Sequence, residues 1–158
     1  NLFPQKNLNI YLTDERCTNN KKFSNYQNIK KIFYKKNYKI NKFYINNDIK
    51  KSQKIYDSIL PNKLDIIFTA LGSDGHVLSW FKINDLKKYK SKNFFTKKTK
   101  PNGFNRLSLS QNYVNTCNRI FLKINFNKKN IYKKTLIKKK KFPINFLNYN
   151  YLIIDEKI

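Results

Sequence analysis

Residues 64–71, LDIIFTAL, are apolar almost without a break, and the chain's one histidine follows within five residues in GSDGH (72–76). A half-exposed strand alternates apolar and polar residues. A near-continuous run of this length instead predicts a strand buried on both faces, the central strand of a parallel sheet. Gly72 lets the chain leave that strand with unusual backbone angles, and Gly75 allows backbone to approach a ligand closely. The segment therefore predicts a strand that delivers Asp74 and His76 together at its carboxyl end.

The rest of the chain alternates strands with helices around this run. LNIYL (8–12) predicts a strand ending at Thr13, Asp14, Glu15 and Arg16. Ser24 is placed to cap a helix through NYQNIKKIFYKK (25–36), where Tyr26, Ile29, Ile32 and Phe33 recur at helical spacing. KFYI (42–45) predicts a brief strand, and Asn47 or Asp48 opens a second helix that Pro61 closes. VLSWF (77–81) predicts a helical turn, and the lysine-rich residues 82–100 mostly loop. RLSLS (106–110) and RIFLKI (119–124) predict strands around a short helix at 111–117. Asn127 is placed to cap a basic helix to about Lys139, and YLII (151–154) predicts a last strand before Asp155 and Glu156. This order implies one α/β domain over residues 1–158: three layers, a mainly parallel Rossmann-like sheet flanked by helices, and ligands at the carboxyl ends of the strands.

A formal charge of +25, from 34 basic and 9 acidic residues, raises the question of a polyanionic partner. Only Arg16, Arg106 and Arg119 are arginine, and the lysines are scattered in a chain crowded with Asn, Ile, Phe and Tyr, residue types that share A/T-rich codons. A solvated lysine surface is the expectation, with no nucleic-acid partner. No apolar run reaches the roughly 18 residues of a membrane span. Cys17 and Cys117 stand apart from each other and from histidine, which predicts reduced thiols, no metal site and a cytoplasmic setting. Methionine is absent and the chain opens at Asn1, so an upstream part is expected to be missing.

Two constellations carry chemistry. In GSDGH, a neutral imidazole can take a proton from water while a neighbouring carboxylate fixes its tautomer; a histidine satisfied within a turn is the alternative. In TDER (13–16), Arg16 can pair with a carboxylate or phosphate, or simply with its own neighbours.

Taken together and in order, these motifs resemble the 6-phosphogluconolactonases, within the larger group that includes glucosamine-6-phosphate deaminases. NIYLTDERC (9–17) is similar to that family's strand ending in DER, and Ser24, Asn25 and Tyr26 match its SNY helix start. LDIIFTALGSDGHVLSWF (64–81) resembles its signature FDLVLLGMGPDGHTASLF, the most specific of the matches. NRLSLS, RIFLKINFNKK and the closing FPINFLNYNYLIIDEKI resemble its later segments. Deaminases carry DEY at the first motif and a Phe, Asn and Glu run after GH, so the lactonase pattern fits better at both.

The resemblance implies hydrolysis of 6-phospho-D-glucono-1,5-lactone to 6-phosphogluconate, in the oxidative pentose phosphate pathway, without metal or organic cofactor. It implies His76 as the base that activates water and Asp74 as the group that orients its ring. Arg16 and Asp14 would hold the substrate, Gly72 and Gly75 would shape the loop, Lys128 would neutralise the 6-phosphate, and Arg106 would reach substrate or neighbouring carboxylates. Family members also carry an SGGSTP-type phosphate loop to which nothing here corresponds, Ser73 stands where proline is common, and Asn125 replaces a glycine near Lys128. A chain without those first strands is expected to expose sheet edge and core. The alternatives are an isomerase or deaminase of the same fold, and a catalytically silent basic remnant that binds polyanions.

Overall fold

A computed structural model describes residues 8–33, 38–45, 47–86, 89–97, 103–138 and 141–155. The fold is mixed α/β, with parallel sheets flanked by helices. Strand β1 (Asn9–Tyr11) pairs in parallel with β3 (Lys39–Asn41), and β4 (Ile67–Ala70), β7 (Ile120–Ile124) and β8 (Tyr151–Ile154) form a second parallel sheet in the order β4-β7-β8. A third sheet is antiparallel: β2 (Asp14–Arg16), β6 (Arg106–Leu109) and β5 (Asn93–Thr96), in the order β2-β6-β5.

Two sequence expectations change here. The TDER segment is not a loop at a strand end, because Asp14–Arg16 itself forms β2 and borrows its partner from β6, far along the chain. Residues 82–100 are not mostly loop either, since they hold helix α3 (Ile83–Leu86) and β5; residues 87–88 and 98–100 lie outside the described set.

Local capping places the helices. Ser24 Oγ accepts the amide of Gln27 at the start of α1 (Asn25–Ile32), and Asp48 Oδ1 accepts that of Lys51 at the start of α2 (Ile49–Ile59). The strand expected at 42–45 lies earlier, at Lys39–Asn41. Ser110 caps α4 (Gln111–Val114). Asn127 does not cap the basic helix: it sits inside a tight 3-10 turn, Phe126–Lys128, that leads directly into α5 (Lys129–Ile137), and Lys139 lies outside the described residues.

The core joins these sheets. Trp80, Tyr56, Phe94, Leu107 and Leu122 are buried, and two of them also fasten elements by hydrogen bonds that satisfy their polar atoms. The Tyr56 hydroxyl donates to the Leu12 carbonyl at 2.7 Å, tying α2 to the end of β1, and the Trp80 indole donates to the Leu109 carbonyl at 2.8 Å.

The LDIIFTAL run is not buried on both faces. Leu64, Ile67 and Leu71 enter the core, but Phe68 on the opposite face is 57% exposed. It stacks on Phe121, which stacks on Tyr151, so three aromatic rings form a ladder across β4, β7 and β8. No described element covers this ladder. Among the described residues no helix is long and apolar enough to cross a membrane.

Candidate active site

Strand β4 passes into a turn closed by its own backbone. The Gly72 amide donates to the His76 carbonyl at 2.8 Å, and the Gly75 amide donates to the Gly72 carbonyl at 3.2 Å. Gly75 has φ +87°, and a methyl group there would also stand 2.5 Å from the Phe142 ring. Gly72 leaves room for the imidazole: a Cβ on it would lie 2.2 Å from two ring atoms of His76. Gly72→Ala is therefore expected to push the ring off its place and, in the hydrolysis that the resemblance implies, to lower turnover about a hundredfold, the scale of a misplacement of about 1 Å. Initial rates, with circular dichroism to show the fold retained, check this.

Within the turn, His76 Nδ1 and Asp74 Oδ1 form a hydrogen bond, and the His76 amide also donates to that oxygen. His76 is 26% exposed and Asp74 54%. Burial pushes the Asp74 carboxyl up, but the hydrogen bond and charge of His76 outweigh it and hold the group below its ordinary value. The folded value thus lies below the unfolded one, so the pairing stabilises the fold above about pH 4 and that contribution fades as pH falls through the folded value. Acid unfolding should show this limb, and Asp74→Asn should flatten it.

The segment after His76 is not a helical turn. Val77 and Trp80 form a β-bridge, with Leu78 at φ 51°, a left-handed conformation that a leucine adopts only under constraint. This tight turn aims Ser79 and Phe81 at β2 and β6. The Ser79 hydroxyl donates to Asp14 Oδ2 at 2.7 Å, and the Phe81 ring lies 4.8 Å from the His76 ring and 5.5 Å from the Arg106 guanidinium.

Strand β2 splits its three side chains by the period-two rule. Asp14 and Arg16 share one face with Ser108 and Arg106, their partners on β6. Arg106 Nη1 meets Asp14 Oδ2 at 3.3 Å; burial pulls its guanidinium down from its ordinary value, against the raising effect of Asp14, and neighbouring Arg16 pulls it further. Arg16 donates to neutral oxygens, the Phe23 carbonyl at 2.9 Å and Asn25 Oδ1 at 2.6 Å, and Asn25 also donates to Asp14 Oδ1. Two arginines directly opposite each other repel. With one carboxylate between them, they leave a local positive charge suited to an anion.

Glu15 projects to the other face and is 3% exposed, its oxygens accepting Ser24 Oγ and the amides of Arg16, Asn25 and Tyr26 at 2.8–2.9 Å. It anchors the start of α1 against β2. Lys128 reaches the start of the glycine turn, its Nζ donating to the Leu71 carbonyl at 2.7 Å.

The residues singled out in the sequence thus converge from four segments: Gly72, Asp74, Gly75 and His76 after β4, Asp14 and Arg16 on β2, Arg106 on β6, and Lys128 ahead of α5. Phe81, Ser79, Asn25 and Glu15 were not singled out. Asn25 lies inside the SNY match and Ser79 and Phe81 inside LDIIFTALGSDGHVLSWF, and the alternation of a strand would have separated Glu15 from Asp14 and Arg16. Among the described residues no group of three or more His, Cys, Asp or Glu side chains is placed to hold a metal ion.

The family model for glucosamine-6-phosphate isomerases/6-phosphogluconolactonase matches residues 2–152. The chain belongs to this family. No curated protein matches it. Among solved structures, the 6-phosphogluconolactonase of Thermotoga maritima superimposes with a TM-score of 0.84 at 21% identity, over 96% of this chain and 73% of its own. That of Plasmodium vivax gives 0.83 at 20% identity, over 96% of this chain and 69% of its own, and that of Trypanosoma brucei 0.71 at 18%, over 92% and 70%. At such identities these likenesses establish the isomerase/lactonase fold, including its parallel sheets.

One thiol borders the site. Burial pushes Cys17 up to about 11, Glu15 adding to the shift and Arg106 opposing it. At neutral pH this family member should therefore react with iodoacetamide at least about tenfold more slowly than free cysteine, and unfolding in urea should abolish the difference.

Proposed function

We propose that this chain hydrolyses 6-phospho-D-glucono-1,5-lactone to 6-phosphogluconate. The observation that carries the reading is the Asp74–His76 pair at the carboxyl end of β4, with Arg106 of β6 across the Phe81 ring and Arg16 of β2 opposite Arg106. Asp74 accepts a hydrogen bond from Nδ1–H, which leaves the Nε2 lone pair for water. His76 takes a proton from that water as its oxygen adds to the C1 carbonyl. Collapse of the tetrahedral intermediate breaks the bond to the ring oxygen, which receives a proton, and the open-chain acid is released. The net change is the addition of one water, and no cofactor enters it.

Arg16 and Arg106 bind the anionic substrate, Asp14 fixes Arg106 and accepts from sugar hydroxyls, and Lys128 adds positive charge beside the turn. Gly72 and Gly75 give the loop its path around the imidazole. The sequence after the histidine, Val77 to Phe81, departs from the deaminase pattern, and Arg16 stands where deaminases have tyrosine. Parallel assays separate the two activities: the lactonase reading expects acid release from the phosphorylated lactone and no ammonia from glucosamine 6-phosphate. Ammonia release without lactone opening would replace it with the deaminase reading. Tight, salt-sensitive binding of polyanions with neither activity would point to a silent basic remnant.

A further inference from the structure

A concavity of about 510 Å³ opens beyond Arg16, bounded by residues within 15–27, by residues 42–45 and by Ile55. Of the residues assigned to lactone chemistry only Arg16 lies on its wall; His76, Asp74, Asp14, Arg106 and Lys128 do not. Residues 42–45 directly follow β3, so the cavity lies at the carboxyl end of the parallel β1–β3 pair, where α/β sheets bind ligands.

Its chemistry is distinct. The Lys42 ammonium lies 4.9 Å from the centre of the Tyr26 ring and 5.2 Å from that of Tyr44, so its position is set by two aromatic faces. Lys21 and Arg16 add two further cations. Among the described residues none of the three stands in an ion pair, and the one carboxylate on the wall, Glu15, is already engaged by four donors. Three cations in a cavity large enough for a small metabolite match a ligand with more than one anionic group. The side chains of Thr18, Asn19 and Gln27 on the same wall offer donors and acceptors to hydroxyls, and the tyrosine rings offer apolar faces to the C–H groups of a sugar chain.

We infer that this cavity is a second binding site, for an open-chain phosphorylated sugar acid. Such a ligand carries a carboxylate and a phosphate separated by hydroxylated carbons. In the hydrolysis proposed above only the product has both anions, so the choice of ligand rests on that reading, while the cavity and its charge do not. Arg16 links the two sites through Asn25, which bonds both Arg16 and Asp14, so product held in the cavity competes for the guanidinium that the substrate uses.

Isothermal titration of the full chain with 6-phosphogluconate at low salt tests this. The expected result is two sites per chain in the wild type and one in the Lys42→Ala/Tyr44→Ala variant, whose product-free initial rate of lactone opening is unchanged. Lys21→Glu, a change at an exposed position, should weaken the second site about tenfold, the scale of one lost charge-assisted contact, whether or not the double variant folds. A single site in the wild type overturns the inference, as does retention of both sites in the variants, or inorganic phosphate binding as tightly as the sugar acid. If the wild type opens no lactone, the hydrolase reading fails, and the difference in stoichiometry between wild type and variant still decides the fate of the cavity.

Discussion

Replacing His76 with alanine should lower lactone hydrolysis by about a hundred- to ten-thousandfold, the usual contribution of a positioned general base. The imidazole is held by Asp74 at Nδ1 and by the Phe81 ring at 4.8 Å, and it lies directly against Gly72. Removing it leaves the turn intact, because the bonds that close the turn run through backbone atoms of Gly72, Gly75 and residue 76. The loss should therefore fall on turnover and leave KM nearly unchanged, and thermal unfolding should shift little. Asp74→Asn should give a smaller loss, since it removes the group that fixes the tautomer and keeps the base. Initial rates of the three proteins, with turnover and KM resolved separately, distinguish these cases.

The largest effect on stability is expected from Glu15. Its buried carboxylate satisfies three backbone amides and the Ser24 hydroxyl, joining β2 to the first turn of α1. Glu15→Ala leaves four donors in a site too enclosed for full hydration and removes a negative charge from a helix amino terminus. A cost of about 3 kcal/mol or more follows, a large part of the roughly 5–15 kcal/mol that holds a domain folded. Glu15→Gln keeps the shape but replaces one acceptor with a donor, so it should lie between wild type and alanine. Urea unfolding followed by circular dichroism orders the three.

How far the fold could be read from the sequence depended on how local each signal was. Ser24 and Asp48 cap helices through bonds spanning three residues, and YLII forms its strand at the residues expected. The two caps need no distant partner, and YLII pairs with the nearest strand before it, β7. The antiparallel β2-β6-β5 sheet does need one: Asp14 meets Arg106 across 92 positions, and nothing within DER announces that it will pair with RLSL. The LDIIFTAL run misled in another way. Its composition is the same whether or not something lies over Phe68, so the sequence could not tell a covered face from an exposed aromatic ladder. At the site, the histidine, its aspartate and the glycines stood out because they are rare and clustered. Phe81 and Ser79 did not, because their places depend on the left-handed backbone at Leu78, a residue with no intrinsic preference for it.

The most direct test of the account is the rate at which the full chain opens 6-phospho-D-glucono-1,5-lactone, followed by acid release against the spontaneous reaction. A rate well above the spontaneous one in the wild type, falling almost to it in His76→Ala with the fold retained, is the result expected. Equal rates for the two proteins, or no enhancement by the wild type, would contradict the role given to His76 and the hydrolase assignment respectively.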